Sequence, residues 1–155
     1  MNLLRSLIIV MTIILVGCGA NNKKGTDDSQ LALIKTTNPP PVDLDKKDQS
    51  VAEQVKKDVL NFNELYDVAV IEGKKDILVA YKVRHFERFK MKKIEKDLKK
   101  TLKKKYPDEK ITVSSDYKIF LEVVRLKEDM SKGKVTEKEA KKRLEEILKL
   151  QSALT

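Results

Sequence analysis

The chain has 155 residues and carries 33 Lys or Arg against 24 Asp or Glu, a formal net charge of +9; 37% of its residues are charged, 5% are aromatic and none is Trp. Such a composition supports one small aliphatic core whose edges are covered by long lysine stems. With one His and one Cys it excludes an intramolecular disulfide and a His/Cys metal site, and it leaves little for a Cys–His nucleophilic pair.

Residues 1–17 read as a lipoprotein signal peptide. Arg5 is the only charged side chain before Cys18, and Leu7-Ile8-Ile9-Val10-Met11-Thr12-Ile13-Ile14 forms an apolar stretch too short for a comfortable membrane span. The stretch ends in Leu15-Val16-Gly17-Cys18, which resembles a bacterial lipobox. In proteins of that kind the Cys sulfur receives a diacylglyceryl group and the signal is cut just before it. Two acyl chains anchor stably where one gives only reversible binding. A plain secretory signal, or an uncleaved anchor with a buried thiol, fits the Gly17-Cys18 ending and the polar downstream sequence less well. Cys18 is therefore the predicted lipid attachment residue, and everything after it is expected outside the cytoplasm.

Residues 18–49 read as the lipidated Cys and a flexible tether, polar around Asn21-Asn22-Lys23-Lys24 and extended at Pro39-Pro40-Pro41. Leu31-Ala32-Leu33-Ile34 is an apolar island that either docks on the domain as an edge strand or lies near the membrane. A domain is expected over 50–133. Ser50-Val51-Ala52-Glu53 has the form of a capping box, with Val51, Val55 and Val59 at helical spacing behind it. Tyr66–Ile71 and Ile77–Phe86 flank a turn at Gly73 and read as a β-hairpin, with one apolar face and one that becomes charged at Lys82 and Arg84.

From Glu87 to Lys105 the period turns helical, with Met91, Ile94, Leu98 and Leu102 as a narrow apolar stripe. Pro107 stops this helix. Lys110–Ser114 reads as a third strand, and Asp116 caps a helix that buries Phe120, Val123 and Val124 and closes at Gly133. Thr136-Glu137-Lys138-Glu139 is a second capping box and opens a C-terminal helix over 134–155. The predicted fold class is α+β: a three-stranded sheet packed by helices on one face, in the order α-β-β-α-β-α-α. The second strand, the long helix and the third strand are expected to form a right-handed, parallel crossover if both strands share the sheet.

The hairpin Val68-Ala69-Val70-Ile71, Gly73, Val79-Ala80-Tyr81-Lys82-Val83, the charged helix, Ile111-Thr112-Val113-Ser114-Ser115-Asp116 and the helix closing at Gly133, all behind a lipobox, resemble the YhcN/YlaJ family of sporulation lipoproteins. The resemblance implies an endospore former and a role in spore formation or germination. It also implies a small α/β domain like the BON or ring-building modules, on the cell or forespore membrane. It spans the lipobox and about residues 51–133, with the last helix as an addition. It carries over no catalytic set and only Cys18 as a functional residue.

Charge is the other informative feature. Arg88, Lys90, Lys92, Lys93, Lys96, Lys99, Lys100, Lys103, Lys104 and Lys105 face only Glu95 and Asp97 over residues 88–105, a surplus equal to the net charge of the chain after Cys18. Lys92, Lys96, Lys99, Lys100 and Lys103 project from the side opposite the apolar stripe and are candidates for binding a polyanion: anionic lipid, a wall polymer or an acidic envelope protein. The plain alternative is a solvated face that keeps the helix soluble. Nucleic acid is not expected, given the compartment and the lack of aromatics interleaved with the lysines. His85 has no sequence partner for catalysis, and neither Asp108-Glu109 nor Glu145-Glu146 is a pair across a cleft. No catalytic residue, metal ligand or cofactor is predicted. The expected function is a non-enzymatic, membrane-anchored binding or assembly module of the spore envelope. The alternatives are a general surface lipoprotein outside sporulation and, third, an envelope hydrolase.

Overall fold

The β-branched and aliphatic runs on either side of Gly73 form the centre of the molecule. In the computed structural model, which describes residues 38–46 and 49–154, β1 is Val42–Asp43, β2 is Leu65–Glu72 and β3 is Asp76–Val83. β2 and β3 pair antiparallel with Val70 opposite Val79 and Ala69 opposite Ala80. The Gly73 amide closes the turn by donating to the Asp76 carbonyl at 2.8 Å. A Cβ on Gly73 would lie 2.9 Å from Leu144 Cδ2, so a glycine here allows the last helix to approach the hairpin.

The helices are α1 (Ala52–Leu60), α2 (Met91–Lys105), α3 (Tyr117–Ser131) and α4 (Glu137–Ala153); a 3-10 turn, His85–Lys90, leads into α2, and β4 is Lys110–Ser114. The sheet order is β1-β2-β3-β4, with β1 parallel to β2 and β4 parallel to β3. The β3-α2-β4 segment is the parallel crossover expected from the sequence.

Side chains on the two faces of the hairpin enter two different cores. Val68, Val70, Ile77, Val79, Tyr81 and Val83 pack with Val113 under α1 and α2, against Val55, Val59, Ile94, Leu98 and Leu102. Ala69, Ile71, Leu78 and Ala80 pack under α3 and α4, against Phe120, Val123, Val124, Leu144 and Ile147. The expected one-sided helical cover is therefore corrected to a three-layer α-β-α arrangement. Both faces of the central strands are dry, so their apolar runs are nearly continuous, as in sheets covered on both sides. Charge stands in β3 only at its two ends, at Asp76 and Lys82.

The number of strands is corrected too. Val42 and Asp43 pair with Ile71 and Glu72 as a fourth, edge strand, and Leu44, 1% exposed, fills the α3/α4 core beside them. The chain before it is pinned along β2. The Asn38 amide donates to Asp67 Oδ1 at 2.7 Å, Val68 N donates to Asn38 Oδ1 at 3.0 Å, and Lys56 Nζ donates to the Asn38 and Pro39 carbonyls at 2.8 and 2.6 Å. Residues 38–46, read as tether in the sequence, thus lie on the folded domain. Pro residues, which lack an amide donor, suit that edge position. Leu31-Ala32-Leu33-Ile34, the other edge-strand candidate, lies outside the described residues, as does Cys18.

Three caps follow the sequence and one does not. Asp116 accepts from the Lys118 and Ile119 amides to open α3, and Thr136 and Glu139 make both bonds of their capping box at α4. The end of α3 is a Schellman motif: Gly133, with φ +65°, donates to Met130 O and Lys134 N to Asp129 O. At α1, Ser50 and Glu53 do not form a box; Val51 is the N-cap and caps nothing with its side chain. The buried carboxylate of Glu72 takes that place from β2. Its Oε2 accepts from Ser50 Oγ at 2.7 Å, Val51 N at 3.1 Å and Ala52 N at 3.0 Å.

Candidate functional site

α2 owes its attachment to three side chains. Ile94, Leu98 and Leu102 are buried; Met91, expected to share the stripe, is exposed at the start of the helix. Lys92, Lys96, Lys99 and Lys103 recur at steps of four, three and four residues, so they run as one line along the opposite side, with Lys100 beside them. All five lysines are exposed. The two acids of the helix are occupied: Glu95 accepts from Lys99 at 2.6 Å and Asp97 from Lys93 at 2.9 Å. Among the described residues Lys92, Lys96, Lys100, Lys103 and Lys104 have no ion pair. The structure therefore brings the five predicted lysines onto one surface, and it engages one of them, Lys99, with a carboxylate.

The C-terminal end of α2 is fixed to α1. Asp58 accepts from Lys105 Nζ at 2.6 Å and from the Tyr106 hydroxyl at 2.7 Å. Burial pushes the Asp58 carboxyl up, but these two hydrogen bonds and the lysine charge outweigh it and hold the group below its ordinary range. The Tyr106 phenol is pushed up to about 12, first by burial and then by its bond to Asp58. The basic helix is thus held on the sheet through its apolar stripe and to α1 at its C-terminal end.

At the other end of α2 stands a feature that the sequence reading did not single out. The 3-10 turn contributes no side chain to either core, and it presents Phe86, 84% exposed, and Phe89, 80% exposed. These rings sit among Arg84, Arg88 and Lys90, with Lys90 Nζ 5.0 Å from the Phe89 ring centre and held to Glu87 at 2.8 Å. The expectation that no aromatic interleaves with the basic residues is corrected by this turn; the compartment alone now argues against nucleic acid. The available signal was the Phe-x-x-Phe spacing, which a helical reading from Glu87 onward broke in two. His85 is exposed, and its ring meets Phe86 edge to face at 5.6 Å.

Behind the turn lies an open crevice of about 470 Å³ at the C-terminal ends of β3 and β4, lined by Tyr66, Lys82, Arg88, Met91, Ser115 and Tyr117. Lys82 is not a spare charge on its floor. Its Nζ bridges to Asp67 at 3.1 Å and sits 4.1 Å from the centre of the Phe120 ring. Tyr81 lies beneath, its phenol pushed up to about 12 chiefly by burial and then by the Glu95 charge. It stays protonated at neutral pH, so it supplies no base there. What the arrangement offers chemically is attraction: a line of ammonium groups, two exposed rings and a mostly apolar crevice at the C-terminal ends of β3 and β4.

The described residues thus form an α-β-α domain that carries a cationic helix beside two exposed aromatic rings. The family of sporulation lipoproteins YhcN/YlaJ matches residues 18–148. The chain belongs to that family, and is a sporulation-associated lipoprotein, anchored by lipid at a membrane outside the cytoplasm. The match begins at Cys18 and runs through most of α4, so the last helix is part of the family domain and not an addition. Comparison with curated proteins and with solved structures returned no match.

Proposed function

We propose that the chain is a non-enzymatic binding or assembly module of the spore or forespore envelope, acting in spore formation or germination. It is held through a diacylglyceryl group on Cys18 and engages an anionic lipid surface or wall polymer through α2. The observation that carries this reading is the line Lys92, Lys96, Lys99 and Lys103 with Lys100, exposed along one side of α2 and answered by only two acids on that helix. Lysines at this density repel one another. A helix serving only to cover the sheet could carry mixed signs on its outer face at no cost to Ile94, Leu98 and Leu102. Each lysine near an anionic surface contributes about 1 kcal/mol, within a screening length of roughly 8–10 Å at moderate salt.

The test is binding of the protein to phosphatidylglycerol vesicles and to purified wall polyanion across a salt series. Binding should weaken as salt rises, and replacing Lys96, Lys99, Lys100 and Lys103 together by Gln should abolish it with the thermal transition retained. Equal binding by both proteins would leave α2 as a solvated face. The Cys18 assignment has its own check. Cys18→Ala should lose metabolic labelling by palmitate and accumulate as precursor; an alanine variant that still carries label would move the anchor elsewhere.

A further inference from the structure

We propose that the turn His85–Lys90 is a membrane-docking wedge, in which Phe86 and Phe89 enter the interface of an anionic bilayer while the surrounding cations meet headgroup phosphates. Of the four Phe in the chain, Phe120 is buried and Phe62 half-buried, whereas Phe86 and Phe89 are 84% and 80% exposed. In a 3-10 turn, residues three apart eclipse one another, so both rings leave from the same side. The turn buries nothing of its own, so the fold has no use for either ring.

The root of the turn is fixed. Arg84 N and Nε donate to the carbonyls of Glu64 and Asn63, each at 2.8 Å, and α2 starts directly at Met91. The rings thus project from a braced turn with basic residues before, between and after them in the chain, which suits insertion among anionic lipids. Arg84, Arg88, Lys90, Lys92 and Lys93 neighbour the rings in the chain; Lys90 is paired with Glu87 and Lys93 with Asp97, while Arg84, Arg88 and Lys92 have no ion pair among the described residues. Aromatic residues beside Lys and Arg are the composition of interfacial segments, where rings sit at the headgroup boundary and cations meet anionic lipid. Membership of a lipoprotein family puts such a surface within reach of the turn. The wedge goes beyond the polyanion reading of α2, because it rests on the two rings and stands even if the lysine line binds nothing.

The chain has no Trp, so Phe86→Trp and Phe89→Trp each introduce a single indole at a position where the native ring is almost fully exposed. The full chain, isolated with its anchor, is reconstituted into phosphatidylglycerol/phosphatidylcholine vesicles with or without acyl-chain bromine. Interfacial segments lie roughly 5–10 Å deep, so both variants should show blue-shifted emission and lose about half of it to brominated lipid. Lys138→Trp, on the exposed first turn of α4, should keep a water-like, unquenched spectrum. Unquenched, water-like emission from both phenylalanine positions overturns the wedge. So does a blue shift that appears only when envelope protein, and not lipid, is supplied. Quenching that survives the fourfold Lys→Gln change supports the wedge acting alone. Failure of quenching with salt-sensitive polymer binding intact removes the wedge and leaves the α2 reading standing.

Discussion

Glu72 ends β2 with a fully buried side chain, a place where a carboxylate without donors would cost several kcal/mol. It is aimed instead at the first amides of α1, where the helix dipole also favours negative charge. Ser50-x-x-Glu53 and Thr136-x-x-Glu139 have the same local form, yet only the second becomes a capping box. The difference is not local. α4 starts in solvent, where its own Glu139 is the available carboxylate, whereas α1 starts against a strand that delivers one from below. Sequence spacing reports the first situation and is blind to the second. Hydrogen bonds to a charged group contribute about 1.5–3 kcal/mol each, so Glu72→Ala should lower unfolding stability by about 3 kcal/mol. Glu53→Ala, at an exposed position, should stay within about 0.5 kcal/mol. Denaturant midpoints for the two variants in the reverse order would restore the local box as the cap.

At the scale of elements, period and propensity locate most of the fold. The shift from alternation at Ile77–Val83 to helical spacing at Ile94, Leu98 and Leu102 marks β3 and α2, and Asp116, Thr136 and Gly133 mark helix ends. What they do not reveal is how many faces of the sheet are covered. Leu78 and Ala80 are apolar yet alternate with the stronger Ile77, Val79 and Tyr81, and the charged residues at Lys82 and Arg84 suggest a wet face. In the structure Leu78 and Ala80 lie fully buried under α3 and α4, and charge stands only at the strand's two ends, Asp76 and Lys82. Leu78→Asp should therefore destabilise the protein as severely as Val79→Asp, each by more than about 3 kcal/mol, since both place a charge in a dry core. Thermal or chemical unfolding checks this directly. A well-tolerated Leu78→Asp beside a damaging Val79→Asp would return the sheet to a single covered face. The candidate site divides in the same way. The lysine line on α2 is a matter of spacing and is legible in the sequence, whereas the exposure of Phe86 and Phe89 depends on α2 starting only at Met91.

On the scale of the whole molecule, the question is where the domain begins. Composition places the boundary at Ser50, because residues 38–46 carry three prolines and mixed polar side chains with no period. Two residues are too few to show alternation, so β1 has no signature of its own. Its place is set by partners far away in sequence. Leu44 N donates to Glu72 O at 2.8 Å, its side chain enters the α3/α4 core, and Lys56 holds the Asn38 and Pro39 carbonyls. Burial, chiefly, lowers the Lys56 pKa, which marks how far this lysine is drawn from water to make those bonds. Removing the strap would uncover one edge of β2, leave Leu44's place in the core empty and free the Lys56 ammonium from both carbonyls. Loss of the leucine alone is worth roughly 2–3 kcal/mol and each backbone bond about 1 kcal/mol. A protein starting at residue 38 should accordingly be about 3–5 kcal/mol more stable than one starting at Ser50, read from their urea midpoints and slopes. Leu44→Ser in the longer protein should reproduce a large part of that loss, because it empties the core position while keeping the backbone pairing. Equal midpoints for the two starting points would mean that the strap lies on the sheet without holding it, and would return the boundary to Ser50.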